Sequence, residues 1–403
     1  MRSVSIRSVA VMFGAAALIL AGAAEAKGFH SLYQFAGGND GNGSVDRLLL
    51  DNAGNLYGVT TSNDAVLGTV FMLSPGGTET VLHAFHYLAQ AASLPTGGVV
   101  MDGAGSLYGE AYNGGLYNCP DIALLNPDCG SVYKLATDGT MTTIHSFQGG
   151  DDGAGPTGGL LIDGSGNLYG TTKMGGTGNF CGGGCGTVFK MTPDGTNTVL
   201  YNFTGQSDGA RPTGSLIADA AGNLYGTTSQ GGHDHGTVFK IAPDGTETQL
   251  YAFSGTDGDQ PSGGLAMDKA GNLYGTTPTG GNLGGSYGEV YKLTTGGTLS
   301  VLHPFSNAGG DGFYPAGGVV VDNKGNLYGT TGQGGKGCHS YGCGTVFKIA
   351  KDGTYSQLYK FKSGVAHNPL GGLVADSQGN LYGSALGAYG DPDHLGMLFA
   401  VRK

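Results

Sequence analysis

The sequence predicts an all-β fold, a seven-bladed β-propeller of four-stranded antiparallel blades, and three observations carry that reading. The motif Leu-Tyr-Gly recurs with its tyrosine at 57, 108, 169, 225, 274, 328 and 382, at spacings of 51, 61, 56, 49, 54 and 54 residues. Recurrence at a near-constant period marks a repeat architecture, in which each unit buries its apolar surface against the next. Each repeat also holds four short strand-like runs bounded by Gly, Asp, Asn or Pro. The third observation is a stagger. The pattern of a fourth strand, His30-Ser-Leu-Tyr-Gln-Phe35, comes first, and that of a third strand, Gly396-Met-Leu-Phe-Ala-Val401, comes last. Pairing the two completes the seventh blade and removes the open edges of the sheet. A β-solenoid, the other repeat fold considered, needs no such stagger.

Taken in order, the chain opens with Arg2 and Arg7, an apolar run from Val9 to Ala21 and the small-x-small stretch Ala24-Glu25-Ala26. This is the pattern of a cleaved secretory signal. The run is too short to span a bilayer. A signal over residues 1–26 and a single propeller domain over 27–403 are therefore expected, with no membrane insertion of the mature chain.

One repeat, from Pro156 to Phe203, shows the four strands. Thr157 to Asp163 is an apolar strand that turns at Gly164-Ser-Gly-Asn167 into a second strand, Leu168 to Thr172. A glycine-rich loop leads to Gly186-Thr-Val-Phe-Lys-Met191, and the turn Pro193-Asp-Gly195 leads to Thr198-Val-Leu-Tyr-Asn-Phe203. Apolar residues fall on both faces of these strands, as they do in sheets covered on both sides. The repeated tyrosines, being common to every blade, read as packing residues.

The chain has 19 basic and 30 acidic residues, and cleavage would leave 17 and 29. That balance argues against a nucleic acid or an anionic lipid surface, both of which need clustered Lys and Arg. The 82 glycines follow no Gly-x-y triplet, which excludes collagen. No phosphate-loop, serine-elbow or H-E-x-x-H motif is present, and no cofactor is expected.

The ordered set G-N-L-Y-G-T-T, G-G, G-T-V-F-K, P-D-G-T, L-Y-x-F and D-G-x-x-P resembles the bacterial GloVer tandem repeats of exported, choice-of-anchor proteins. The resemblance covers nearly all of the mature chain. It implies an exported repeat protein and carries no catalytic assignment. Some relatives end in a sorting anchor, whereas Val401-Arg402-Lys403 shows none, so release or periplasmic residence is the expectation. The run P-x-G-G-L-x-x-D-x-x-G-N-L-Y is also similar to NHL-type propellers, which implies that the first strand lines the central channel.

On that strand order, the turns after strands one and three are short and constant, while the loops after strands two and four vary. Binding residues concentrate on loops held by a rigid scaffold, so function is sought on the variable face. Six cysteines form three local pairs there, Cys119/Cys129, Cys181/Cys185 and Cys338/Cys343. Export and even pairing favour disulfides, since zinc needs four converging ligands. The Asp-Gly steps at Asp40, Asp152, Asp208, Asp257 and Asp311 read as turn carboxylates bonded to nearby amides. A calcium ring would need more than one carboxylate per loop.

The candidate ligand-binding residues are positions where one repeat breaks the rule. Arg211, Gln260, Tyr314 and Asn368 stand before the loop proline where blade 3 has Gly155. Glu110 replaces the first Thr of Leu-Tyr-Gly-Thr-Thr. His235, His339, Tyr341, His367 and His394 lie in the variable loops, the last four on neighbouring blades six and seven. Lys173 and Tyr112 begin second-to-third loops, and His233-Asp234-His235 is too little for a metal site without further ligands. His83, His145 and His303 replace a strand tyrosine and read as structural.

Two functional classes follow. One is a non-catalytic binding or scaffold protein, expected to be a monomer, taking a glycan or protein ligand through amphipathic tyrosines. The other is a secreted enzyme on polysaccharide. A lyase would use a cation such as Arg211 with Tyr314, His235, His367 or His394 to move protons. A hydrolase would pair Glu110 with a loop Asp.

Overall fold

A computed structural model describes residues 28–402 apart from 45–46, 61–65, 87–91, 116–118, 120–127, 282–286, 307, 309, 336–341, 363–366 and 388–394. Seven antiparallel sheets of four principal strands follow one another in chain order, and each Leu-Tyr-Gly lies on the second strand of its blade. Blade 3 shows the pattern, with strands Leu161–Ile162, Leu168–Met174, Thr187–Met191 and Asn197–Asn202. A further short strand, Ala154–Pro156, pairs with the far end of the second strand.

The recurring motif holds the blade together from three sides. Leu168 is fully buried. The Tyr169 hydroxyl donates to Asp163, which also accepts from the Ser165 and Asn167 backbone N–H groups and the Asn167 amide. The same Asp–Tyr bond closes all seven first turns. In blade 6, burial pushes the Asp322 carboxyl up, but bonds from Asn326, Tyr328 and the Lys324 N–H outweigh it and hold the pKa at about 2. Gly170 completes the motif because a Cβ there would stand 2.5 Å from Phe189 Cζ of the third strand. Glycine is required for that ring to lie across the second strand.

The blades are joined by a closed circle of aromatic contacts. The phenylalanine ending each fourth strand meets the third-strand ring of the next blade edge to face. The pairs are Phe35–Phe71, Phe85–Tyr133, Phe147–Phe189, Phe203–Phe239, Phe253–Tyr291, Phe305–Phe347 and Phe361–Phe399, with centroids 5.1 to 5.4 Å apart. Such pairs contribute about 0.5–1.5 kcal/mol each beyond area burial. The core is accordingly divided among the blade junctions.

The stagger closes the ring as expected. Strand Gly28–Gln34 pairs antiparallel with Gly396–Arg402, in register from Gly28↔Arg402 to Gln34↔Met397. Phe29 stacks on Tyr359 of blade 6 at 3.6 Å and packs on Phe361 and Phe399, locking the closing strand to its neighbour.

Two of the expected disulfides are present, Cys119–Cys129 and Cys181–Cys185, with Cα atoms 5.3 and 5.2 Å apart. Cys343 is also disulfide-bonded, and its expected partner Cys338 lies outside the described residues. The Asp-Gly carboxylates are turn residues, as with Asp208, which accepts from the Thr204 N–H and the Tyr201 hydroxyl. His145 and His303 stand in for that tyrosine and bond Asp152 and Asp311. Among the described residues no helix is long and apolar enough to cross a membrane.

Candidate functional site: the channel and its mouth

A cavity of 170 Å³ runs along the ring axis, lined by residues of all seven blades, among them Arg47, Gly97, Thr157, Thr213, Ser262 and Leu370. Its walls are the glycine-rich segments that follow each loop proline. These segments let the chain approach the axis closely, as where Gly97 and Gly159 of adjacent blades meet backbone to backbone. At the variable-loop end stands the residue before each proline. Leu94, Gly155, Arg211, Gln260, Tyr314 and Asn368 all hold left-handed backbone, with φ of 54°, 63°, 55°, 55°, 62° and 55°. Each donates its N–H to a carbonyl of the preceding blade, at Leu67, Cys129, Cys185, His235, Tyr287 and Cys343 respectively.

This conformation costs a residue with a Cβ about 1–2 kcal/mol, and blade 3 avoids it with Gly155. Five blades instead carry a side chain in the strained position. Strain of this kind clusters where a side chain must be presented. The second strands and the residues just after them supply partners to some of these positions. Ser229 Oγ donates to the Arg211 carbonyl at 3.0 Å, and the Gly332 N–H to the Tyr314 carbonyl at 3.0 Å. Tyr112 covers Gly155. Burial, then the Arg211 charge, lowers the Lys173 pKa, and burial raises that of Tyr112 while the same Arg211 charge opposes it. The charge of Arg211 thus reaches Tyr112 and Lys173, residues of three consecutive blades.

Of the residues expected from sequence, Arg211 and Tyr314 lie on this mouth with Gln260 between them on blade 5. Tyr314 is 37% exposed, one of few large exposed apolar side chains among the described residues. His367 precedes Asn368, and its N–H donates to the Leu386 carbonyl at 2.7 Å. Glu110 lies instead inside the protein, 0% exposed. Its Oε2 accepts the Gly159 N–H of the next blade at 2.9 Å. It occupies the place of Thr171 and Thr330, whose equivalents also face a neighbouring channel segment. The Thr330 hydroxyl donates to the Gly371 carbonyl. His235 bonds Asp259 at 2.9 Å and packs on Gly255. Cys185 holds the same place on blade 3, with its sulfur against Gly205. The His–Asp pair therefore replaces a disulfide as the staple of the blade 4 loop. His339, Tyr341 and His394 lie outside the described residues.

Sequence reasoning passed over Arg47. In the repeat register it stands where the other blades have Gly98, Gly159, Ser215, Gly264, Gly318 and Gly372, and among the described residues it is the charged one that lines the channel. The clue was available, since a lone arginine at a glycine position breaks the repeat as plainly as Arg211 does.

A family model described as the Gloeobacter/Verrucomicrobia repeat matches the chain three times, over residues 68–285, 125–335 and 233–403. No curated protein matches. Among solved structures, the extracellular domain of a protein described as a one component system of B. thetaiotaomicron superposes with a TM-score of 0.56 at 11% identity. That match covers 92% of this chain and 39% of the other. A gluconolactonase from Xanthomonas campestris matches at 14% identity and a TM-score of 0.45, covering 90% and 95% of the two chains. At these identities the likeness is one of fold.

Proposed function

This chain belongs to the Gloeobacter/Verrucomicrobia repeat family, and from that premise we propose that it is an exported binding protein taking a carbohydrate or protein ligand at the channel mouth. The observation that supports this most is the row of left-handed side chains. Arg211, Gln260, Tyr314 and Asn368 hold a backbone that glycine would adopt without strain, and their identities differ from blade to blade although the framework beneath them repeats. A role in folding would favour one residue throughout. An exposed tyrosine among amide and guanidinium groups offers stacking and hydrogen bonding to a sugar or a polar protein surface. Export accords with the disulfides, which persist in oxidising compartments.

Glycan-array and co-purification experiments test the reading. A ligand whose binding falls at least tenfold in Tyr314→Ala or Asn368→Ala supports it, a loss on the order of one buried interface contact. Ligand binding indifferent to both changes, or no ligand from either screen, contradicts it.

A second reading, a polysaccharide lyase, draws on Lys173, Arg211 and Tyr112. Arg211 is placed to hold a uronate carboxylate while Lys173, its pKa lowered by burial and by Arg211, moves a proton. New ultraviolet absorbance from unsaturated products on polyuronides is the expected readout, and its absence across a broad panel removes this reading. The hydrolase alternative is less well supported, because Glu110 is buried and engaged with Gly159.

A further inference from the structure

Charge is distributed unevenly around the channel. The chain carries a formal net charge of −11, yet among the described residues that line the cavity there is no carboxylate; Asp46, in the repeat register of the lining Gly158 and Gly214, lies outside them. Among those described residues the charged one is Arg47, seated against Gly372 of blade 7. Arg47 is exposed along the channel, and the protein packed around it lowers its pKa below the ordinary arginine value. An arginine remains charged under such conditions. Among the described residues nothing forms an ion pair or hydrogen bond with its guanidinium, and its neighbours Val45 and Asp46 lie outside them. The other blades show that glycine or serine suffices at this position, so the repeat itself does not call for an arginine here. Thr157 and Thr213 add hydroxyls to the lining that have no bond partner among the described residues. At the mouth, Lys173 and Arg211 add two more positive charges on adjacent blades.

We infer that the channel is an oxyanion subsite, in which Arg47 receives the carboxylate of an acidic saccharide whose chain end enters between Lys173 and Arg211. The inference rests on the mouth reading above for the route of entry and adds the ligand class. A guanidinium matches a carboxylate in a planar, two-point pairing. A concave passage that presents a cation draws ligands of the opposite charge. The cavity, at 170 Å³, admits the end of a chain better than its middle, so the reducing or non-reducing terminus is the part bound.

Isothermal titration at low salt with an oligogalacturonate, a neutral oligogalactan of equal length and sodium sulfate tests this. The oligogalacturonate is expected to bind more tightly than the galactan by about tenfold or more, and Arg47→Gly to remove that advantage. The galactan affinity stays unchanged in the same variant. Arg47→Gly installs the residue that neighbouring blades already carry, and an unchanged thermal midpoint confirms that it folds. Acidic-saccharide affinity indifferent to Arg47→Gly overturns the inference, as does equal binding of the neutral chain. Neutral binding that is lost in Tyr314→Ala but insensitive to Arg47 sinks the acidic ligand and leaves the mouth reading standing. Sulfate held at Arg47 and not displaced by oligogalacturonate assigns a free oxyanion instead. No binding of any saccharide sinks both the inference and the glycan part of that reading.

Discussion

At Gln260 the backbone and the side chain pull in different directions. The residue is exposed and sits at φ 55°, so its side chain adds strain without burying surface in the fold. Gln260→Gly should stabilise the protein by up to about 1 kcal/mol, since strain relief slightly exceeds the added entropy of the unfolded chain. A higher thermal midpoint together with weaker ligand binding is the expected pair of results. A lower midpoint would show that the side chain serves packing. Residue-level exceptions were legible to different degrees. Arg211 and Tyr314 stood out because they replace a glycine before a proline. Glu110 stood out equally, but strand alternation cannot tell which neighbour a second-strand side chain meets, and only the curvature of the ring brings it against Gly159 of the next blade. The bond of His235 to Asp259 was not legible for a related reason, because that partner lies in a different loop.

At the scale of the blade junction, three glutamates face the Asp-Gly turns of an adjoining blade. Burial, and then the charge of Asp40, Asp208 or Asp257, raises the Glu79, Glu247 and Glu289 pKa values from 4.5 to about 7. A carboxyl whose pKa is higher in the folded state binds its proton more tightly there. Between pH 4.5 and about 7 the folded state therefore holds more protons than the unfolded one, and stability declines as pH rises through that window. The first-turn aspartates act oppositely, since carboxylates such as Asp322 lose their contribution as pH falls from 3.8 toward about 2. A stability maximum in the mildly acidic range is expected. Replacing Glu79, Glu247 and Glu289 by Gln should flatten the decline between pH 4.5 and about 7 in a thermal-midpoint series. An undiminished slope would place the responsible groups elsewhere. Gly209→Ala tests the same junction sterically. At φ 100° its Cβ would meet the Thr228 and Thr237 hydroxyls, and a loss of at least about 2 kcal/mol is expected by chemical denaturation. The sequence showed these glycines and carboxylates as turn residues. Their contacts across blades were not legible, because they join positions such as Glu247 and Asp208 that sit on separate repeats.

For the whole molecule, the stagger of strand patterns was enough to foresee the closed ring, since only one arrangement leaves no unpaired fourth strand. The circle of aromatic contacts was not foreseen. Each participant, such as Phe203 or Phe239, reads in isolation as an ordinary core residue, and the pairing depends on how one blade follows the next. Closure should accordingly be cooperative. Phe29→Ala, which removes the stack on Tyr359 and the contacts with Phe361 and Phe399, should cost about 2–3 kcal/mol, somewhat below the range for a fully buried phenylalanine. A change within about 0.5 kcal/mol, the usual scatter for a surface site, would mean that the closing strand is held by its backbone pairing alone.

The central claim is that ligand binding sits on the variable mouth and not on the constant-turn face. The direct measurement is glycan-array and protein-pull-down binding of the native protein beside a variant with Arg211, Gln260, Tyr314 and Asn368 all changed to Gly, the residue blade 3 uses. A folded variant, at least as thermally stable as the native protein, that has lost the native ligands is the predicted result. A folded variant that binds them undiminished would contradict the account.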